Sequence, residues 1–185
     1  MILPITVYGN PVLRKKAQEI DKSYPDLKEL IANMFDTLAA AEGVGLAAPQ
    51  VGLSIRVVVI DATPFANDEP ACRNFKLALI NPVILDFPTD EEVQYNEGCL
   101  SLPGISEDVW RPDKVEIKYF DENFVEHHEV WDGMRARISQ HELDHLDGKV
   151  FIDHISPIRR RLLGGKLNAM VKGKASARYK IVPNK

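Results

Sequence analysis

The run His141-Glu142-Leu143-Asp144-His145 constrains this chain more than any other stretch. On a helix, residues four apart share a face, so the two imidazoles project side by side and can grip one metal ion. Glu142 sits one residue along, about 100° around the helix, where it can reach a metal-bound water as general base. Such an arrangement suits the splitting of an acyl bond with water. The rest of the sequence has to supply a third ligand, an oxyanion donor and a pocket, so distant segments must fold around this helix.

With 185 residues, the chain is long enough to bury a substantial core as one domain. Its apolar and charged contents are those of an ordinary soluble protein, and no apolar stretch approaches the roughly 20 residues that span a bilayer. The opening Met1-Ile2-Leu3-Pro4-Ile5-Thr6 has no basic leader or apolar signal core, so a cytoplasmic, reducing location is expected. There, Cys99 near a His pair reads as a metal or catalytic residue rather than half of a disulfide with Cys72. Charge is distributed unevenly. All 27 acids and 14 of the 23 Lys/Arg precede Pro157, whereas nine Lys/Arg and no acid follow it. The expected organisation is a catalytic domain over residues 1–157 and a basic helix or tail over 158–185. That tail is either a plain solvated terminus or a surface for a polyanion.

Periodicity places the elements. Leu27, Leu30, Ile31, Met34, Phe35 and Leu38 form the apolar stripe of a helix over 25–41, which Gly43 stops. A glycine-rich loop runs from Gly43 to Gly52. The β-branched run Arg56–Asp61 reads as a buried strand, residues 62–76 as an excursion loop, and Leu77–Phe87 as a strand interrupted by Pro82. Residues 114–120 and 124–131 form a hairpin about Asp121-Glu122-Asn123. A helix starts at the N-cap Asp132 and runs to about Leu146, with Gly148 behind it; a third helical pattern, 158–171, is weakened by Gly164-Gly165. Strands and separated helices without a regular βαβ series indicate an α+β fold.

Three segments can form one site. On the His-pair helix, Met134 and Ile138 share the face of His141 and His145. Glu97-Gly98-Cys99-Leu100-Ser101-Leu102-Pro103-Gly104 offers a thiolate that would complete a Cys/His/His set, leaving an open position as catalytic sites require. Taken alone, Cys99 reads as a buried apolar thiol. Gly43-Val44-Gly45-Leu46-Ala47-Ala48-Pro49-Gln50-Val51-Gly52 lets backbone approach a ligand and offers the Gln50 amide as an oxyanion donor. It is a poor phosphate loop, because no Lys-Ser/Thr follows.

Together these segments closely resemble peptide deformylase, with its G-h-G-L-A-A-x-Q, E-G-C-L-S and Q-H-E-x-D-H motifs in order. The likeness extends from Leu3-Pro4-Ile5 and Asn10–Arg14 to Gly148-Lys149-Val150-Phe151. The resemblance implies antiparallel β-sheets packed around the central His-pair helix, with a C-terminal helix. It implies an enzyme that removes the N-formyl group from the initiator methionine of nascent polypeptides. Cys99, His141 and His145 would bind the metal and Glu142 would act as base and then acid. Gln50 and the backbone N–H of Leu100 would stabilise the oxyanion. The implied ion is Fe(II), with Ni(II), Co(II) or Zn(II) able to substitute. Val44, Met134 and Ile138 are expected to border the methionine pocket and Gly45 and Gly98 to bond the peptide backbone. Glu97, Arg111 and Asp144 are expected to orient ligands, or else to form ordinary ion pairs. A monomer is expected, with the basic tail a candidate contact to the ribosome.

Some residues depart from that pattern. Arg135 and Arg137 stand where apolar residues are expected, and Arg137 lies near the pocket stripe. Ser106 occupies a place where some relatives carry arginine. Cys72 has no assigned role, and His127, His128 and His154 are assigned to structure or surface. Two rivals remain at this point. A zinc endopeptidase would place its third ligand after the His pair, where no suitable helical follow-up exists. A catalytically dead binding module would lack Glu142 or Gln50, and both are present.

Overall fold

The computed structural model describes residues 1–184; Lys185, the last residue of the basic tail, lies outside the described residues. Strand β1 (Ile5–Thr6) is followed by helix α1 (Leu27–Ala40), short strand β2 (Gly45–Ala47), β3 (Val57–Asp61) and β4 (Lys76–Asp86). A hairpin of β5 (Glu92–Gly98) and β6 (Ser106–Pro112) comes next, then β7 (Lys114–Phe120), β8 (Glu126–Asp132) and α2 (Gly133–Leu146). Helices α3 (Pro157–Leu162) and α4 (Gly164–Val171) and strand β9 (Ile181–Val182) complete the chain. The fold is α+β, as the sequence implies. No helix among the described residues is long and apolar enough to cross a membrane.

The main sheet has the order β2-β3-β4-β7-β8 and is antiparallel throughout. Side chains on a strand alternate faces, so the run Val57-Val58-Val59-Ile60 feeds two cores at once. Val57 and Val59 pack with Ile31, Met34 and Leu38 of α1, while Val58 and Ile60 pack with Ala136, Ile138, Leu143 and Leu146 of α2. A helix on each face explains why β3 is apolar without interruption. A third cluster joins Val7, Leu102, Val109 and Phe151 to Leu167 and Met170 of α4.

Several expectations need correction. The glycine-rich loop is partly strand: Gly45 pairs with Ile60 at the edge of the sheet, and residues 48–51 form a 3-10 turn. The interruption expected at Pro82 is present as a shift of register, and β4 continues through it to Asp86. Asn81, in the left-handed region at φ 50, makes a bulge there, and its amide brackets the backbone of Ile20 at 2.7 and 3.0 Å. The Pro82 carbonyl accepts from Arg56 Nη2 at 2.9 Å. The hairpin β5–β6 had no counterpart in the pattern. Strand β5 is largely exposed, and β6 buries Glu107, Val109 and Arg111, so charged residues occupy positions where periodicity expects apolar ones. The tail pattern breaks at Leu163 into α3 and α4, just before Gly164-Gly165.

The excursion loop is not structureless. It holds two 3-10 turns, and Glu69 between them accepts from the backbone N–H of Met134 at 2.8 Å. Glu69 therefore caps the first turn of α2 in place of Asp132, whose carboxylate instead takes Arg135 Nη2 at 2.6 Å. A side chain at Gly133 (φ 53) would collide with the Glu69 carboxylate, so this close approach requires glycine.

Candidate active site

Eleven of the 14 residues of α2 are buried, including Arg137, Gln140, His141, Glu142 and His145. Buried polar groups need partners, and the hairpin supplies most of them. Glu97, at the end of β5, accepts from His141 Nδ1 at 2.7 Å, from Arg111 Nε at 2.7 Å and from Arg137 Nη1 at 2.9 Å. Arg111 also reaches Asp144 at 2.8 Å, and Asp144 in turn bonds His154 Nε2 at 2.7 Å. Burial opposes charge on Glu97, but His141 and Arg111 outweigh it and hold the carboxyl far below its usual range. The bond from Nδ1 to Glu97 fixes the ring of His141 and leaves Nε2 free to hold a metal ion.

Cys99 follows directly from Glu97-Gly98. Its Sγ lies 3.3 Å from His145 Nε2, and ligand atoms of Cys99, His141 and His145 all fall within 4.8 Å of one another. Neither cysteine is in a disulfide. Burial would depress His141, but the Cys99 sulfur and Glu97 carboxylate overcome it and raise its pKa well above the ordinary value. The same burial, with His141 beside it, pushes His145 down to about 3 and keeps it neutral. Among the described residues, Glu142 Oε2 and His145 Nδ1 are buried without a partner. A sulfur and two imidazole nitrogens form a donor set that fits a divalent transition metal with a position left open.

Beside this cluster opens a cleft of about 640 Å³. Gln50 lines it, held by the Ala47 N–H, which donates to Oε1 at 2.8 Å; its Nε2 faces Cys99 Sγ at 3.5 Å and Ser101 Oγ at 3.3 Å. Glu142 lines it too, and burial raises its carboxyl pKa to about 7. Val44, Gly45, Gly98, Leu100, Met134 and Ile138 all border the same space, while His145 lies fully buried beneath it.

Known proteins resemble this chain in sequence and fold. Residues 2–161 match the polypeptide deformylase family. The chain belongs to that family. A peptide deformylase of Flavobacterium johnsoniae is 50% identical over 98% of this chain and 95% of its own length. The peptide deformylase of Christiangramia forsetii is 48% identical over the same shares. Among solved structures, peptide deformylase from Thermotoga maritima is 40% identical, with a TM-score of 0.76 over 85% of this chain and 99% of that one. A Met-Ala-Ser-bound class I type b peptide deformylase from Acinetobacter baumannii is 32% identical, with a TM-score of 0.76 over 84% of this chain and 99% of that one. The protein is thus a hydrolase of a family that removes the formyl group from nascent peptides, and its Cys99, His141 and His145 form a group that could hold a metal ion.

Against this family background, several residues at the deformylase cleft carry no motif signal. Arg137 turns away from an apolar role: besides Glu97, it reaches the Val109 and Val93 carbonyls at 3.1 and 2.5 Å, and its guanidinium lies over Tyr95. Phe65 of the excursion loop and Tyr95 of β5 line the cleft. Tyr179 of the tail lines it as well, and burial beside Cys99 pushes its pKa up to about 12, keeping its hydroxyl protonated. Only the unusual charge of Arg137 could have been noticed in the sequence. His154, assigned to structure or surface, closes the far end of the Asp144–Arg111 chain.

Proposed function

We propose that this protein removes the N-formyl group from formyl-methionyl nascent polypeptides by hydrolysis, releasing formate. The observation that carries the reading is the buried Glu142 carboxylate facing the same cleft as Gln50, beside Cys99, His141 and His145. Cys99 Sγ and one imidazole nitrogen each of His141 and His145 would hold a divalent cation, Fe(II) in the cell and replaceable by Ni(II), Co(II) or Zn(II). When bound, its charge lowers the pKa of the attacking water and polarises the formyl carbonyl. Glu142 takes the proton of that water and hands it to the departing amine. A carboxyl with a pKa near 7 is suited to both transfers at neutral pH. Gln50 Nε2 and the Leu100 N–H donate to the oxygen as it gains negative charge.

Val44, Met134 and Ile138 receive the methionine side chain, and the backbones of Gly45 and Gly98 bond the peptide. The Met-Ala-Ser bound by the Acinetobacter baumannii relative supports a peptide of this start and length. Residues 1–157 form the catalytic part, acting as a monomer in the cytoplasm, and 158–185 form a basic tail toward the ribosome. Glu107 and Asp153 already engage Arg159 and Arg160, so exposed Arg161, Lys172 and Lys174 would carry the contact. Ribosome binding that resists salt and survives neutralising those three would reject the contact.

The decisive assay loads the protein anaerobically with Fe(II) or Ni(II) and measures formate released from formyl-Met-Ala-Ser. Formate that disappears in Glu142→Ala, with peptide bonds intact, is expected. Metal-loaded protein that yields none would overturn the reading.

A further inference from the structure

We propose that Tyr179, in the segment leading to β9, is a positioning residue for deformylation, holding the turn that carries Cys99 and Leu100. The proposal rests on the deformylase reading of the cleft. The Tyr179 hydroxyl donates to the Leu100 carbonyl at 2.7 Å across 79 residues of sequence. The other hydrogen bonds of this turn lie within it or come from the body of the protein, while α4 of the tail packs against Leu102. Leu102 N–H donates to the Cys99 carbonyl at 2.9 Å, Tyr8 N–H donates to the Ser101 carbonyl at 2.8 Å, and Gln50 Nε2 meets Ser101 Oγ. The tail thus contributes one peg to a turn whose two functional atoms, Cys99 Sγ and the Leu100 N–H, must keep a fixed separation across the cleft.

The tail is itself fastened to the segment that grips the turn. Ile5 pairs with Ile181, Ile5 N–H donates to the Lys180 carbonyl at 2.8 Å, and Asn184 Nδ2 donates to the Tyr8 carbonyl at 2.8 Å and to the Met170 carbonyl at 2.9 Å. Residues 5–8 therefore hold the turn on one side and the tail on the other. The Tyr179 ring, half-buried against the α1 core, cannot follow a drifting Leu100, so its hydroxyl reads as a fixed peg. Loss of the bond frees the Leu100–Ser101 peptide plane, and with it the orientation of the donors beside it. A net hydrogen bond of ordinary strength corresponds to a two- to tenfold effect.

Tyr179→Phe keeps the ring against the cleft and removes only the hydroxyl. Its expected effect is a kcat for formyl-Met-Ala-Ser lowered about three- to tenfold, with KM within about twofold and Tm nearly unchanged. In Co(II)-loaded protein, the thiolate-to-metal absorption from Cys99 should shift in the same variant. Asn184→Ala loosens the far end of the tail without touching the turn; it should lower Tm while leaving kcat and the absorption band in place. A Tyr179→Phe protein with unchanged kcat and spectrum would overturn the proposal. So would two variants that lose activity alike, in step with Tm. Should Co(II)-loaded parent protein release no formate, the deformylase reading falls by itself, and the spectral comparison still decides whether Tyr179 holds the turn.

Discussion

Gly45→Ala tests whether Glu142 is held where chemistry needs it. A Cβ at Gly45 would lie 2.8 Å from both Cγ and Cδ of Glu142, and closer still to Oε1. Ordinary carbon–carbon contact is about 3.5–4.0 Å, so roughly 1 Å must be found somewhere. Strand β2 cannot easily retreat, because Gly45 is registered against Ile60 and α1 packs behind it. Glu142 is only 4% exposed, and its helix is pinned by the sheet. The carboxylate is the part that can rotate. Overpacking of this kind costs about 1–3 kcal/mol, and each kcal/mol lowers Tm by roughly 2–4 °C in a domain of this size. A catalytic group displaced by about 1 Å loses on the order of 100-fold in rate. Formate release at matched metal content should therefore fall about 100-fold, while metal affinity holds because Glu142 is not a ligand. In a Glu142→Ala background the clash is gone, so the Tm penalty of Gly45→Ala should largely vanish. A folded Gly45→Ala enzyme within threefold of the parent kcat would refute the argument, as would a Tm penalty that persists without the Glu142 side chain.

Glu97→Gln leaves the guanidinium of Arg137, at 8% side-chain exposure, without its anion, and that of Arg111, at 4%, with Asp144 alone. A loss of about 3–5 kcal/mol in urea unfolding and a 10- to 100-fold weaker metal affinity are expected; unfolding parallel to the parent would contradict both. Asp153 is held by Arg14 at 2.5 Å, by Arg160 at 2.7 Å and by the Val150 N–H at 2.9 Å; burial raises its pKa, but these three partners together outweigh burial and lower it. A depressed folded pKa gives stability that is present above the unfolded value near 3.9 and lost as pH falls through the folded one. Asp153→Asn should cost about 1–2 kcal/mol at pH 7, discounted because both arginines are 40% exposed, and the gap should close below about pH 4. A gap constant from pH 7 to pH 3 would be the contrary result. Gly165→Ala, where a Cβ in α4 meets nothing within 4 Å, should stabilise by about 0.5–1 kcal/mol, and any loss of Tm would count against it.

The elements most legible in the sequence bury apolar side chains at a regular period. Helix α1, strands β3 and β7 and the hairpin to β8 fall within a few residues of their expected bounds, because each has one apolar side to sort or, for β3, two. The ligand helix was legible for another reason: its metal-binding pattern and the Gly148 stop mark it, although its periodicity is blurred by burial on nearly every side. What could not be read was placed by long-range partners. Glu69 lies 65 residues before the amide it caps, and Tyr179 lies 79 residues after the carbonyl it holds. Neither position carries a local signature, since a half-buried loop glutamate and a tail tyrosine satisfy their own neighbourhoods equally well.

The hairpin β5–β6 shows why motif and fold are legible to different degrees at one site. A helix that buries His141, Glu142 and His145 along with Arg137 and Gln140 creates a demand for anions and carbonyls on the element facing it. The hairpin meets that demand with Glu97, the Val93, Val109 and Pro112 carbonyls and the Arg111 link to Asp144. Apart from Val109, its buried inward residues Glu97, Glu107 and Arg111 are charged, and a pattern that looks for apolar alternation passes over them. Yet Glu97, Cys99, Arg111 and Asp144 were all singled out from sequence as ligands or their supports, because chemistry marks residues that periodicity misreads. The two signals are complementary here for a physical reason. Where the core is apolar, period reveals structure, and where the core is polar, only the function that keeps such residues buried reveals them.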